Sequence, residues 1–428
     1  MKSNKEILTF AFPAIIENFL QMLVGISDTM IVAHLSLSAV AAVSLANNVI
    51  TIYQAIFIAL GTIVSSLFAR KRSEKADVEV GKFVDGAIKL TVFISLILGL
   101  FSIVFAQPLT TLLGARGDVG QLSSLYLSLV GGLIVMLGLM TTFGSFMRAS
   151  GDTKTPMWAS LLANILNLVL SALFIFVFHL GVLGTALGAI IARTIGSFYL
   201  YIKLKNNRPT RRFLKTKIDR QLIKLTIPAT GERLSMRIGD LLIMMIIISF
   251  GSRVFAGNAI GESITQFNYM PVFGMSTVTV ILVAQEFAQK NRENIKQYIK
   301  KTYWLATIMM LIVGLLIFVS SAPLNYLFTA DKVAANASHI VIVFSLLATF
   351  FVTGTTTYTA AFQGLGNAKL PFYTTTVGMF GIRLILGAIL GIGLRLGLEG
   401  VWLGVLLDNL FRFIFLKIKF DKLIKTVN

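Results

Sequence analysis

Arg148-Ala-Ser-Gly151-Asp152-Thr-Lys154-Thr-Pro156 is a polar loop between two apolar runs, and it returns 215 residues later as Gln363-Gly-Leu-Gly366-Asn367-Ala-Lys369-Leu-Pro371. The same offset carries Pro13-Ala14-Ile15-Ile16-Glu17 onto Pro228-Ala229-Thr230-Gly231-Glu232. Near the end of each half, Leu180-Gly181-Val182-Leu183-Gly184 matches Leu396-Gly397-Leu398-Glu399-Gly400, shifted by one. Apolar helices resemble one another by chance. Shared Gly, Pro and Lys punctuation at one offset is a much stronger sign of a repeat.

Each half holds six apolar stretches long enough to cross about 30 Å of hydrocarbon. They lie near 8–34, 44–69, 87–106, 122–147, 157–178 and 181–202, then 222–249, 257–285, 302–322, 337–362, 372–393 and 397–418. An even number per half gives both halves one orientation, so they are parallel repeats about an axis along the membrane normal. The expected fold is all-α, with twelve transmembrane helices in two pseudo-symmetric six-helix bundles. Residues 1–202 form the first bundle, 203–220 a basic cytosolic linker containing Arg208-Pro209, and 221–428 the second. Two matched bundles that rock about a shared interface give alternating access, the architecture of a secondary transporter.

Composition agrees. Only 13% of the 428 residues are charged and 56% are hydrophobic, where a soluble domain carries about 25% charged residues. There is no Cys, which excludes disulfides, thiol catalysis and Cys-ligated zinc. The three His (His34, His179, His339) are scattered at expected helix ends with no metal-ligand spacing. The first apolar stretch is too long for a cleaved signal and reads as a retained helix. The net charge of +19 raises nucleic acid as a partner, but its placement answers the question. With Lys2 and Lys5 in the cytosol, segments on that side carry 29 Lys and Arg against four opposite (Arg116, Arg253, Lys332, Arg395). That asymmetry puts both termini in the cytosol, and no nucleic acid is needed to explain it.

Polar groups inside spans are costly and are functional candidates by default. Asp28 lies in the outer half of the first span, on one stripe with Glu17 and Gln21. Pro13 can kink that helix. In the fifth span Asn164, Asn167 and Ser171 share a face; meeting Asp28, they make an oxygen-rich pocket for a proton or sodium ion. Interhelical hydrogen bonding is the alternative. Gln21 and Asn47 are further cavity candidates, with Asn48 beside the latter. In the second half Arg233, Arg237 and Asp240 share a face of the seventh span, and Asp408 pairs with Arg412 in the twelfth, with Arg383 near. These read as structural pairs, with Glu232 or Asp240 as the candidate for a second titrating site.

The chain resembles the multidrug and toxic compound extrusion (MATE) family over its whole length. The resemblance rests on Pro-x14-Asp-Thr from Pro13 to Thr29, the loop 148–156, its echo 363–371 and the six-plus-six repeat. It implies two six-helix bundles in a V and export of organic, often cationic or amphipathic, drug-like compounds against protons or sodium ions. Asp28 matches the family's first-helix aspartate, which takes part in ion coupling. The polar face of the fifth span is similar to the cavity of the DinF-like branch. That branch reads Asn-x-x-x-Asp where this chain has Asn167-x-x-x-Ser171. The NorM-like branch carries an acid in its seventh span where this chain has Met236. The implied setting is a bacterial cell membrane, with lipid as the surroundings, a monomeric chain and no cofactor beyond the coupling ion.

Other readings are weaker. A flippase for a lipid or lipid-linked precursor would want a basic cavity, which Arg233, Arg237 and Arg383 could supply. A major-facilitator transporter would show Gly-x-x-x-Asp-Arg between its second and third spans, where this chain reads Arg70-Lys-Arg-Ser-Glu-Lys-Ala-Asp77. No nucleophile–base pair, metal set or Walker sequence appears, so no catalytic residue or ATP site is expected.

Overall fold

The computed structural model describes residues 2–74, 77–205 and 216–426. The central part of the expected linker, 206–215, lies outside the described residues. Among the described residues, twelve long helical segments run in order. The first series is α1 (Asn4–Ala33), α2 (Leu37–Ser73), α3 (Asp77–Leu112), α4 (Gly117–Gly131 with Val135–Ala149), α5 (Lys154–Val177) and α6 (Gly181–Lys205). The second series is α7 (Arg220–Ile248), α8 (Ser252–Ala288), α9 (Arg292–Val319), α10 (Lys332–Leu347 with Thr349–Gly364), α11 (Lys369–Gly393) and α12 (Gly397–Thr426). A short helix, Ser321–Phe328, precedes α10, and no strand occurs among the described residues. Eight of these helices are long and apolar enough to cross a membrane, and the two bent pairs in α4 (43°) and α10 (56°) make ten. The other two, α7 and α12, have the length but carry several charges, among them Glu232, Arg233, Arg237 and Asp240 in one and Glu399, Asp408, Arg412 and Lys417 in the other.

The two repeated loops are helix stops followed by helix starts. Gly151 (φ 99°) and Gly366 (φ 76°) end α4 and α10 in a left-handed turn that a side chain resists. Asp152 Oδ1 then accepts from Thr155 N at 2.9 Å, and Asn367 Oδ1 from Leu370 N at 3.3 Å, satisfying donors that the next helix start leaves free. The helices are also sided for lipid. On α3 the large apolar side chains Phe93, Leu96, Ile97, Leu100, Ile103 and Val104 are all exposed, a stripe intolerable in water.

Packing divides the chain into two compact units, Ile16–Thr226 and Met1–Ile15 with Ile227–Asn428. The divisions fall beside Pro13 in α1 and Pro228 in α7, not at the basic linker, so each first helix begins in one unit and continues in the other. In the C-terminal unit Lys2 N donates to Tyr298 Oη at 2.7 Å, and Lys301 Nζ to Lys2 O at 3.2 Å. In the N-terminal unit Lys89 Nζ donates to Thr216 O at 2.7 Å, and Lys71 pairs with Asp219 at 3.5 Å.

Candidate functional site

In the N-terminal unit Asp28 is 3% exposed. Its Oδ1 accepts a hydrogen bond from Asn167 Nδ2 at 2.6 Å, and Asn167 Oδ1 in turn accepts from Ser171 Oγ at 3.4 Å. Asn164 Nδ2 donates to Leu20 O at 2.8 Å, tying α5 to α1 one turn lower. Ser171 can sit there because Gly188 of α6 has no Cβ: one would meet Ser171 Cα at 3.1 Å. Arg193 is near enough for its charge to act on Asp28, yet among the described residues no ion pair reaches Asp28. A hydrogen bond to a charged group contributes about 1.5–3 kcal/mol, less than the several kcal/mol that burying an ion costs. The anion is therefore only partly compensated, and a proton or small cation would relieve it. Further along α1, Gln21 is exposed and a Cβ on Gly25 would meet nothing within 4 Å.

The C-terminal unit is wired differently. Asp408 is wholly buried, and its Oδ2 accepts from Arg383 Nε at 2.9 Å, Arg383 Nη2 at 2.8 Å and Arg412 Nη2 at 2.8 Å. Arg383 Nη1 also pairs with Asp240 Oδ1 at 3.0 Å, and the Asp240 side chain is 51% exposed. Two carboxylates and two guanidiniums cancel. Gly378 makes the room: a Cβ there would strike Asp408 Oδ1 and come within 2.9 Å of Arg412 Cγ.

The glutamates at the repeat's start also differ. Glu17 takes both its bonds from Arg148 Nη1, at 2.8 and 2.7 Å. Glu232, its repeat counterpart, accepts from the neutral Gln363 at 2.9 Å. Asp28, Asn167 and Ser171 thus come together, with Asn164 one turn away. Asn47 is half-buried on α2 and Arg237 is exposed on α7. Glu17 shares the stripe of Asp28 but is held by Arg148 rather than left facing a cavity.

Sequence reasoning missed two neighbours. Tyr126 of α4 is fully buried with no hydrogen-bond partner for its hydroxyl, near enough to feel Asp28 and Arg193. Thr185 of α6, one turn before Gly188, is likewise buried with an unpartnered Oγ1. Neither had a polar neighbour at helical spacing to betray it. It also missed Glu262 of α8, which sits near Asp240 and Arg383 and bonds Asn258, itself held by Trp402 Nε1 at 2.9 Å.

A family model described as MatE matches residues 13–173 and again 228–389. The chain is 28% identical to the probable multidrug resistance protein NorM of Thermotoga maritima, over 96% of this chain and 90% of that one. It is 25% identical to the multidrug export protein MepA of Staphylococcus aureus, over 77% of this chain and 74% of that one. An outward-facing MATE transporter of the MOP superfamily superposes with a TM-score of 0.91 at 21% identity, covering 99% of this chain and 97% of that one. A MOP superfamily transporter from Pyrococcus furiosus gives 0.91 at 22%, covering 99% and 96%. With both halves matched by one family model across the twelve helices, the chain belongs to the MatE family of multi-spanning membrane transporters.

Proposed function

We propose that this chain is a secondary active exporter of organic, cationic or amphipathic compounds, driven by protons that enter through Asp28. One observation carries the reading: among the described residues, a buried carboxylate in α1 accepts its hydrogen bond from a neutral donor, Asn167, and from no guanidinium. With the site open outward, a proton neutralises Asp28. The Asn167 amide then loses its charge-assisted bond, and a cationic compound loses the attraction that held it. Release is outward. After the bundles exchange access, the proton leaves to the cytosol and Asp28 is again ready to attract a cation. One proton entering for each monovalent cation leaving moves no net charge, so the pH difference drives the exchange, about 1.4 kcal/mol per pH unit, and a ligand shifts such an equilibrium only by its differential affinity for the two states.

A proton suits the site better than sodium, because one carboxylate with amide and hydroxyl oxygens is a thin shell for a metal ion. The polar cluster of Asp28, Asn167 and Ser171 in the first unit supports a place in the DinF-like branch. The bias of basic residues orients both termini to the cytosol of a bacterial cell membrane, and one chain supplies both bundles, so it acts as a monomer. The names of the NorM and MepA relatives support drug-like compounds as cargo. A lipid flippase would need free cationic side chains for a phosphate head. Arg383 and Arg412 are committed to Asp240 and Asp408 instead.

Proteoliposomes loaded with a fluorescent organic cation test this. Efflux is expected under an inwardly directed proton gradient and not under a sodium gradient alone. Efflux indifferent to both would remove ion coupling from the account.

A further inference from the structure

The two halves are out of step by one residue, and the misstep can be located. The family match starts at 13 and 228, an offset of 215, and ends at 173 and 389, an offset of 216. The geometry agrees at both ends. The left-handed glycines Gly151 and Gly366 are 215 apart. Beyond them, the left-handed non-glycine residues His179 (φ 54°) and Arg395 (φ 58°) are 216 apart. So are two wide turns, Phe178 N to Leu173 O and Leu394 N to Ile389 O. The extra residue therefore lies between Pro371 and Ile389. A π-helical stretch, Val377–Leu384, occupies that interval, and its counterpart in the first half is regular α-helix within Lys154–Ala172. A π-turn is a one-residue insertion that turns later side chains about the helix axis, and such turns gather at functional sites. Counted at the offset of 216 that holds after the stretch, the residue that falls on Asn167 is Arg383, near the C-terminal end of the stretch itself.

We infer that Arg383 is a built-in cation: it occupies, in the C-terminal unit, the place that the first unit leaves to an exchangeable ion. In the first unit the helix-five position is a neutral amide beside the carboxylate of α1. In the second it is a guanidinium bound to Asp240 of α7 and Asp408 of α12. Asp240 lies one turn before Ile243, the counterpart of Asp28. Asp408 lies next to Asn409, the counterpart of Arg193. The other titratable groups facing this network are Arg412, which completes the balance around Asp408, Glu262, bonded to Asn258 on α8, and Tyr269 of the same helix. Arg237 is exposed on α7, and Glu232 with Arg233 lies two turns below Asp240 on that helix. The second unit is a permanently loaded copy, so only Asp28 exchanges an ion. The stoichiometric consequence rests on the transport reading; the charge consequence does not.

The charge consequence is measured directly, in an Asp28→Asn background so that transport is irrelevant. Infrared difference spectra over a pH titration count buried carboxyls that protonate. Arg383→Gln leaves Asp240, Asp408 and Arg412 with a net charge of minus one, and one additional carboxyl is expected to titrate. Arg383→Lys, which keeps the cation, is expected to add none. Arg383→Gln with Asp240→Asn restores neutrality and is also expected to add none. The mirror variant, Asn167→Arg with Asp28 intact, should silence the Asp28 carboxyl, and it answers the question even if Arg383→Gln does not fold. An unchanged spectrum in folded Arg383→Gln, an equal gain in Arg383→Lys, or an Asp28 that still titrates in the Asn167→Arg variant would overturn the inference. If proton-driven efflux fails in the wild type while these spectra behave as stated, the transport reading falls and the built-in cation stands.

Discussion

At corresponding depths of the repeat, the two units solve one electrostatic problem in opposite ways. The first unit buries an aspartate against an asparagine, with an arginine near but not bonded. The second buries an aspartate between two arginines and ties one of them to a further aspartate. The first arrangement is under-compensated. The second closes on itself. Tandem repeats keep the backbone and let charge drift; on the proposed reading, one half then carries a responsive site and the other a fixed one. The glutamates near the repeat's start show the same drift in reverse. Glu17 has an arginine partner, and Glu232 a glutamine.

This contrast can be broken from the fixed side first. Arg412→Leu strips one guanidinium from Asp408 and leaves charge uncompensated in a fully buried place. Losing one partner of a buried pair costs about 3–5 kcal/mol, so the melting temperature in detergent should fall sharply. Asp28→Asn replaces an under-compensated anion with its neutral isostere, and the melt should move little or rise. Equal losses from both would erase the distinction drawn between the sites.

Crowding gives the next effect. Gly378→Ala pushes a methyl against Asp408 and Arg412, and overpacking of this kind costs about 1–3 kcal/mol. Gly25→Ala, at an open position near Asp28, should be close to neutral. Thermal denaturation of the two variants side by side decides it.

The glutamate pair is subtler. Glu17→Gln strands the part-buried guanidinium of Arg148, at a cost of about 1–3 kcal/mol for a buried donor left poorly matched. Glu232 accepts its hydrogen bond from an amide, with Arg233 and Arg412 acting on it through charge alone, so Glu232→Gln should cost less. A larger loss from Glu232→Gln would contradict the pairing seen at the two positions.

The smallest effect lies outside the membrane spans. Asp331 caps α10, accepting from Val333 N at 2.8 Å and Ala334 N at 3.0 Å. The Ala334 amide above all, then that of Val333 and the charge of Arg253, hold its carboxyl below the ordinary value. A carboxyl lowered on folding contributes stability above its unfolded pKa and loses it as the pH falls through the folded one. The capping contribution should therefore fade only below about pH 4. Asp331→Asn should show a flatter acid limb in its melting profile than the wild type, with a small deficit at neutral pH that closes below about pH 4.

Much of this was legible in the sequence, because lipid imposes simple rules. Span length and the loops Gly-Asp-x-Lys and Gly-Asn-x-Lys follow from hydrocarbon thickness and helix ends, which are local properties. Asp28 stood out for the same reason, and its contact with Asn167 followed from two faces read separately. The crossing of each first helix from one unit to the other was not legible, since it depends on tertiary packing around Pro13 and Pro228. Nor were Tyr126 and Thr185, whose importance lies in a hydroxyl left without a partner. Arg383 was seen only as a neighbour of the Asp408 pair. The one-residue shift was noticed at Leu180 and Leu396, but its cause required a helix whose turn widens, and no residue type announces a π-turn.

The most direct trial of the account is to count protons against exported cation in one proteoliposome experiment, with pH-sensing dye inside the vesicles. The wild type should couple each exported organic cation to entry of a single proton. Asp28→Asn, which stands in for the protonated carboxyl, should bind the cation weakly, move no protons with it and build no gradient. Full proton-coupled export by folded Asp28→Asn would show that the buried carboxylate of α1 does not drive transport.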